Sequence, residues 1–116
     1  MDPRRLFGNE GEHRAATYLK KKGYVILDRQ FRTRFGEIDL VARDGDEIVF
    51  VEVKTRRSSA HGFPEDAVTE TKLQRLEIAA ESYLKVHAFE ARLHRFDVIA
   101  LVGEEGHVQV EHLIGV

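Results

Sequence analysis

Two stretches of alternating apolar and polar residues, 36–43 and 47–54, flank Asp44-Gly45-Asp46-Glu47 and predict a β-hairpin with a tight, glycine-containing turn. With Gly45 and Asp46 as the two loop residues, Asp44 pairs with Glu47. Counting outward then sets Asp39 opposite Glu52 and Glu37 opposite Lys54. A period of two puts Glu37, Asp39 and Val41 on one face, and Ile48, Phe50, Glu52 and Lys54 on one face. Asp39, Glu52 and Lys54 are therefore expected to converge on one side of a sheet among apolar neighbours. The register decides this, because a three-residue loop would slip the pairing by one and lose the opposition.

Around the hairpin, residues 9–22 read as a helix, with Asn9 as N-cap, Gly23 as stop, and an inner face of Ala15, Ala16 and Leu19. Tyr24-Val25-Ile26-Leu27 begins a strand and is followed by the polar run 28–34. Residues 55–64 are polar with Gly and Pro and predict a loop. A longer helix is expected over 66–87, burying Leu73, Leu76, Ala80, Tyr83 and Leu84. Arg95 to Val102 is a largely apolar strand, and after Gly103-Glu104-Glu105-Gly106 a last strand covers 107–113. The order is αβββαββ. The strand–helix–strand passage after Lys54 predicts a right-handed crossover to a parallel neighbour, hence an α/β fold with a mixed sheet.

At 116 residues the chain has the size of one domain, 1–116, and its 42% hydrophobic and 33% charged content is that of a soluble globular protein. No apolar run reaches the length of a membrane span and Met1-Asp2-Pro3-Arg4-Arg5 leads into no signal-peptide core, so no membrane partner and a cytoplasmic location are expected. The absence of cysteine excludes disulfides, thiolate zinc sites and thiol nucleophiles. A net charge of −2 excludes bulk-charge coating of nucleic acid; phosphate affinity has to come from local clusters or a bound metal.

The chemistry concentrates on the hairpin. Two carboxylate charges about 5 Å apart repel by roughly 3 kcal/mol at an effective dielectric of about 20. A divalent cation between Asp39 and Glu52 turns that repulsion into coordination, and Lys54 beside it can orient a water or stabilise a developing oxyanion. The alternative is a Glu37–Lys54 salt bridge with Asp39 and Glu52 on a solvated face. Glu12, on the inner face of the first helix, either skirts the core or supplies a third carboxylate. Arg56 and Arg57 follow Lys54 and are either phosphate contacts or part of a solvated loop. Lys72, beside the Leu73/Leu76 stripe, either snorkels along the core edge or meets substrate. Lys20-Lys21-Lys22 close a helix, where cations complement the dipole. The six histidines show no ligand spacing and are expected to be surface or half-buried, and Asp97 is read as a strand-end polar residue without a functional role. Ser58 and Ser59 have no triad context.

The spacing Asp39 … Glu52-Val53-Lys54, with Glu12 upstream, resembles the PD-(D/E)xK nuclease signature. A fuller string is more specific: Gly11-Glu12, Ala15-Ala16, Tyr18-Leu19, Gly23-Tyr24, Gly36-Glu37-Ile38-Asp39-Leu40-Val41-Ala42, Phe50-Val51-Glu52-Val53-Lys54-Thr55-Arg56 and Arg95-Phe96-Asp97-Val98. Over nearly the whole chain these residues resemble the YraN-like family of bacterial proteins, which is placed in the restriction-endonuclease-like superfamily near archaeal Holliday junction resolvases. The resemblance implies an αβββαβ core, a central mixed β-sheet flanked by helices and an extra C-terminal strand. It also implies Asp39 and Glu52 as metal-binding carboxylates, Lys54 as catalytic lysine and Glu12 as the helix-borne acid. Gln30 stands where the family more often has Asn, and is expected to lie outside the acidic site. No proline precedes Asp39, a position commonly degenerate in the superfamily. The expected activity is a Mg²⁺- or Mn²⁺-dependent nuclease on nucleic acid, DNA ahead of RNA, with Asp39, Glu52 and Lys54 catalytic and Arg56, Arg57 and Lys72 holding the strand. The rivals are a nucleic-acid-binding module without turnover and an adaptor using the sheet edge near 107–113. A homodimer is a further expectation, since many nucleases of this superfamily use one to reach two strands.

Overall fold

A computed structural model describes residues 3–56, 69–104 and 106–116, the side chains of 3–9 and 104 excepted. The chain runs α1 (Pro3–Lys21), β1 (Val25–Thr33), β2 (Gly36–Asp44), β3 (Glu47–Arg56), α2 (Glu70–Val86), β4 (His94–Glu104) and β5 (His107–Leu113). This is the αβββαββ order read from the pattern. The strands form one sheet in the order β1-β2-β3-β4-β5. Among the described strands only the β3–β4 pairing is parallel, so α2 lies within the connection that parallel neighbours require. Among the described residues the fold is mixed α/β, a five-stranded mixed sheet with two helices.

Alternation along β3 divides the core. Val49 and Val51 pack with Leu40, Ala42, Ile99 and Leu101 against Ala15, Ala16 and Leu19 of α1. Ile48 and Phe50 pack with Ile38 and Val41 against Leu76, Ala79, Ala80, Tyr83 and Leu84 of α2. Because successive side chains of a strand point to opposite faces, one helix covers each face of the sheet. Small residues bring α1 close: a Cβ added to Gly11 would lie 2.5 Å from Thr55 Cγ2 on β3. The residue after this contact is Glu12.

Several boundaries differ from expectation. α1 starts at Pro3, so Asn9 is inside the helix rather than its N-cap. Proline at the first helical position loses nothing, since its missing N–H would have no intrahelical partner. The stop at Gly23 is as read, with φ of +93° and the Tyr24 N–H donating back to Leu19 O at 3.0 Å. β1 continues through the polar run to Thr33, as an edge strand tolerates polar residues. Thr55 and Arg56, read as loop, extend β3 because β4 continues beside them, pairing Leu101 and Val102. α2 begins at Glu70 with Thr69 as N-cap, whose Oγ1 accepts the Lys72 N–H at 3.2 Å. Ala79 joins its buried stripe, whereas Leu73 is only half-buried. Arg57, the rest of the expected loop and residues 66–68 lie outside the described residues.

Asp97 is the largest departure. It is 1% exposed, in the interior of β4 where that strand runs between β3 and β5. Its carboxylate accepts from Arg95 Nε at 3.0 Å, Arg95 Nη2 at 3.3 Å and the Gly115 N–H at 3.1 Å, and pairs with His112 Nε2 at 2.8 Å. Arg95 also reaches Tyr24 OH at 2.8 Å, Glu47 at 2.5 Å and Asp44 at 3.3 Å. The His112 side chain is buried as well, although the residue as a whole is half-buried as expected. This cluster joins the start of β1, the hairpin turn, β4, β5 and the C-terminal segment. Burial opposes the charge of Arg95, but its bonds to Asp97 and Glu47 outweigh that and raise its pKa.

Candidate functional site

The register of the hairpin is the one expected, Asp44↔Glu47 outward through Leu40↔Val51. Backbone pairing stops there, one residue short of Asp39 and Glu52. Asp39 fills the gap with its side chain: Oδ2 accepts the Val53 N–H at 2.8 Å. A carboxylate that takes a backbone donor of the next strand has to lie near the plane of the sheet, between the strands. The packing of β2 agrees, since Ile38 and Val41, three residues apart, both face α2, so strict alternation lapses around Asp39. On the other side, Arg29↔Leu40 and Phe31↔Ile38 set Gln30 across from Asp39, and that position is skipped in the ladder. Gln30 has φ of +53°, a conformation disfavoured for residues other than glycine.

This irregularity gathers acids. Oxygens of Glu12, Glu37 and Asp39 lie within 4.8 Å of one another. Glu12 comes down from α1, and its Oε2 accepts from Gln30 Nε2 at 2.8 Å. Gln30, expected outside the acidic site, is therefore part of it, brought there by its own backbone turn. Glu37 is half-exposed and its ion pair is with Arg32 at 3.4 Å rather than with Lys54. Burial raises the Asp39 carboxyl to about 7, and the Glu52 charge adds to the effect. Its bond from Val53 opposes the rise, and Glu12 and Glu37 reinforce it. Glu12 is raised mainly by burial; Gln30 works against the shift and Glu37 with it. Three close oxygens, two of them on acids reluctant to ionise, form a hard donor set of the kind divalent cations use.

Glu52 faces α2, on the Phe50 side of β3, and its side chain is 8% exposed. Lys72 Nζ lies 2.5 Å from its Oε1, and Lys54 Nζ 3.6 Å from the same oxygen. Lys54 is lowered, first by a side-chain bond with Lys72, then by burial and by the Lys72 charge. Burial also opposes the charge of Lys72, but its bonds to Glu52 and Lys54 outweigh this and raise it.

Of the residues singled out from sequence, Glu12 meets Asp39 in the oxygen cluster, and Lys54 and Lys72 meet Glu52, which lies outside that cluster and acts on Asp39 through its charge. Arg56 ends β3, half-buried, and Arg57 is outside the described residues. Glu37 and Gln30 were missed as site members. Glu37 shares the predicted face of Asp39, a signal present but assigned to a salt bridge. Nothing in the sequence marks the backbone turn at Gln30.

The site sits on a mixed α/β scaffold, on strands β2 and β3 with one acid from the first helix and one lysine from the second. Residues 11–101, which hold all of these groups, match the model of Uncharacterised protein family UPF0102, and the chain belongs to that family. A UPF0102 protein of Syntrophomonas wolfei is 50% identical over 95% of this chain and 96% of its own length. One from Arthrobacter sp. is 44% identical over 100% and 99%, and one from Caldicellulosiruptor saccharolyticus 47% identical over 83% and 81%. No helix among the described residues is long and apolar enough to cross a membrane.

Proposed function

We propose that this protein is a Mg²⁺- or Mn²⁺-dependent nuclease that hydrolyses nucleic-acid phosphodiesters, DNA ahead of RNA, on a restriction-endonuclease-like core. The observation that carries this is the convergence of Glu12, Glu37 and Asp39 oxygens within 4.8 Å, beside the Glu52 charge and two lysines. A purely structural cluster would neutralise Asp39, as Arg95 does Asp97. Here the nearby charges of Glu52, Glu12 and Glu37 all oppose its ionisation. Glu12, Asp39 and Glu52 would hold the cation, with Glu37 at its edge. A bound cation supplies Lewis acidity toward a phosphoryl oxygen and a lowered pKa for water. Lys54 orients the attacking water and offsets charge on the phosphoryl oxygens in the transition state. Arg56, Arg57 and Lys72 bind flanking phosphates, which positions the strand without reading its sequence. The preference for DNA rests on the resemblance of the chain to the YraN-like family, placed near archaeal Holliday junction resolvases.

The test is a cleavage assay with Mn²⁺ on end-labelled duplex, single-stranded, flap and four-way-junction DNAs and on RNA, with Glu52→Gln run in parallel. Cleavage by the wild type and none by Glu52→Gln is expected, together with loss of Mn²⁺ binding in that variant. Unchanged Mn²⁺ affinity in Glu52→Gln would overturn the site assignment. Strand binding that survives EDTA, is lost with added salt and is accompanied by no cleavage would replace the nuclease with a binding module.

A further inference from the structure

Both lysines of the site address one oxygen, and this leaves its charge unevenly spread. Glu52 Oε1 has Lys72 Nζ at 2.5 Å and Lys54 Nζ at 3.6 Å, whereas Asp39 is opposed by the charges of Glu52, Glu12 and Glu37. A cation held by Asp39 and Glu52 would sit beside the Lys72 ammonium that already contacts Glu52 Oε1. Divalent cations such as Mg²⁺ bind carboxylate oxygen at about 2.1 Å, so an ammonium in direct contact with that oxygen competes with the ion for the same electron pairs and repels it. The two lysines differ in freedom. Lys54 stands two residues from Glu52 on the same strand and stays beside it. Lys72 comes from a different element, the first turn of α2, on a flexible four-carbon stem with a side chain 32% exposed. It can leave Glu52 by changing rotamer, with no movement of the helix.

We propose that Lys72 is a cationic placeholder. In the metal-free protein it neutralises the buried Glu52, and it sets the affinity for the divalent cation by competing for Oε1. Binding of the ion releases it toward solvent, where its ammonium is free for a phosphate of the strand. The proposal rests on Glu52 being a metal ligand, as in the function proposed above. It assigns Lys72 a positioning role that a simple phosphate contact or a structural salt bridge does not have: removing it strengthens metal binding while weakening the metal-free fold.

The experiment is a Mn²⁺ titration of the full chain, followed by the paramagnetic resonance of the free ion, with urea melts in EDTA alongside. Wild type, Lys72→Met, Lys72→Arg, Glu52→Gln and the double variant Lys72→Met/Glu52→Gln are compared. Lys72→Met should bind Mn²⁺ about tenfold more tightly, within the usual range for coupled sites, and unfold at lower urea in EDTA. Lys72→Arg should keep the wild-type affinity, and the double variant should lose the gain. Lys72→Gln, which keeps a donor to Glu52 without the charge, serves the same comparison if the methionine variant fails to fold. Folded Lys72→Met or Lys72→Gln binding Mn²⁺ no more tightly than wild type overturns the placeholder and leaves the metal site standing. Mn²⁺ binding by neither wild type nor variant overturns both.

Discussion

Asp97 on β4 and Asp39 on β2 are carboxylates within the same sheet, and their surroundings are opposite in sign. Asp97 accepts from both arms of Arg95 and from Gly115, and pairs with His112. Asp39 accepts the Val53 N–H and is opposed by the charges of Glu52, Glu12 and Glu37. In the first region a buried charge is surrounded by compensating donors, and the cluster ties four strands and the C-terminal segment together. In the second, acids are held close by a backbone that departs from regular pairing on both sides of Asp39. A buried charge with its partners in place serves the fold. Acids whose charges oppose the ionisation of Asp39 store repulsion that a cation can relieve, which is why the second region, not the first, is the candidate for chemistry.

The comparison breaks most visibly at Asp97. Asp97→Ala leaves the Arg95 guanidinium partly unpaired and His112 without its acceptor. Loss of one partner of a buried pair costs about 3–5 kcal/mol, to be read in urea melts. A loss under about 1 kcal/mol would mean that the network is not holding the fold. Next in size is the pH dependence of the metal-free protein. The folded pKa of Asp39 is raised from 3.8 to about 7, so between those values the native state holds a proton that the unfolded state has released. Stability therefore falls as pH rises through that window, by at most about 4 kcal/mol, and is flat above it with respect to this group. Mn²⁺ binding has to displace the same proton. Its affinity should rise up to about tenfold per pH unit below 7 and level off above it.

Asp39→Asn sharpens the contrast, because its effect on stability should have the opposite sign from that of Asp97→Ala. It keeps an acceptor for Val53 and removes the charge, so the metal-free protein should gain about 2 kcal/mol at pH 8. The pH dependence described above should flatten and Mn²⁺ binding should be lost. Destabilisation by this variant would count Asp39 among the structural groups. The smallest effect is expected at Gly11. A methyl there meets Thr55 Cγ2 at 2.5 Å, so Gly11→Ala should lift α1 slightly. The clash outweighs the roughly 1 kcal/mol gain in helix propensity, and because Glu12 follows directly, Mn²⁺ affinity should fall about threefold. Paired melts and titrations of this variant would separate the two contributions.

The alternation of 36–43 and 47–54 about Asp44-Gly45-Asp46-Glu47 was enough to place the hairpin register as far as Leu40↔Val51, whereas the expected pairing of Asp39 with Glu52 lies just beyond the ladder. A period of two leaves little freedom once one face is buried and the turn is two residues long. Element order, the parallel return after α2 and the inner faces of both helices were legible from the same kind of periodicity. The rest depended on contacts between distant segments. That Asp97 is a buried structural acid needed Arg95, His112 and Gly115 to meet around it. That Gln30 belongs to the site needed a left-handed turn in β1, to which no local residue preference points. Above all, the partner of Glu52 was a choice between lysines. Sequence spacing offers Lys54, two residues along the same strand. The packing of α2 brings Lys72 closer, because a helix laid across a sheet can deliver a long side chain to a point that strand periodicity does not reach.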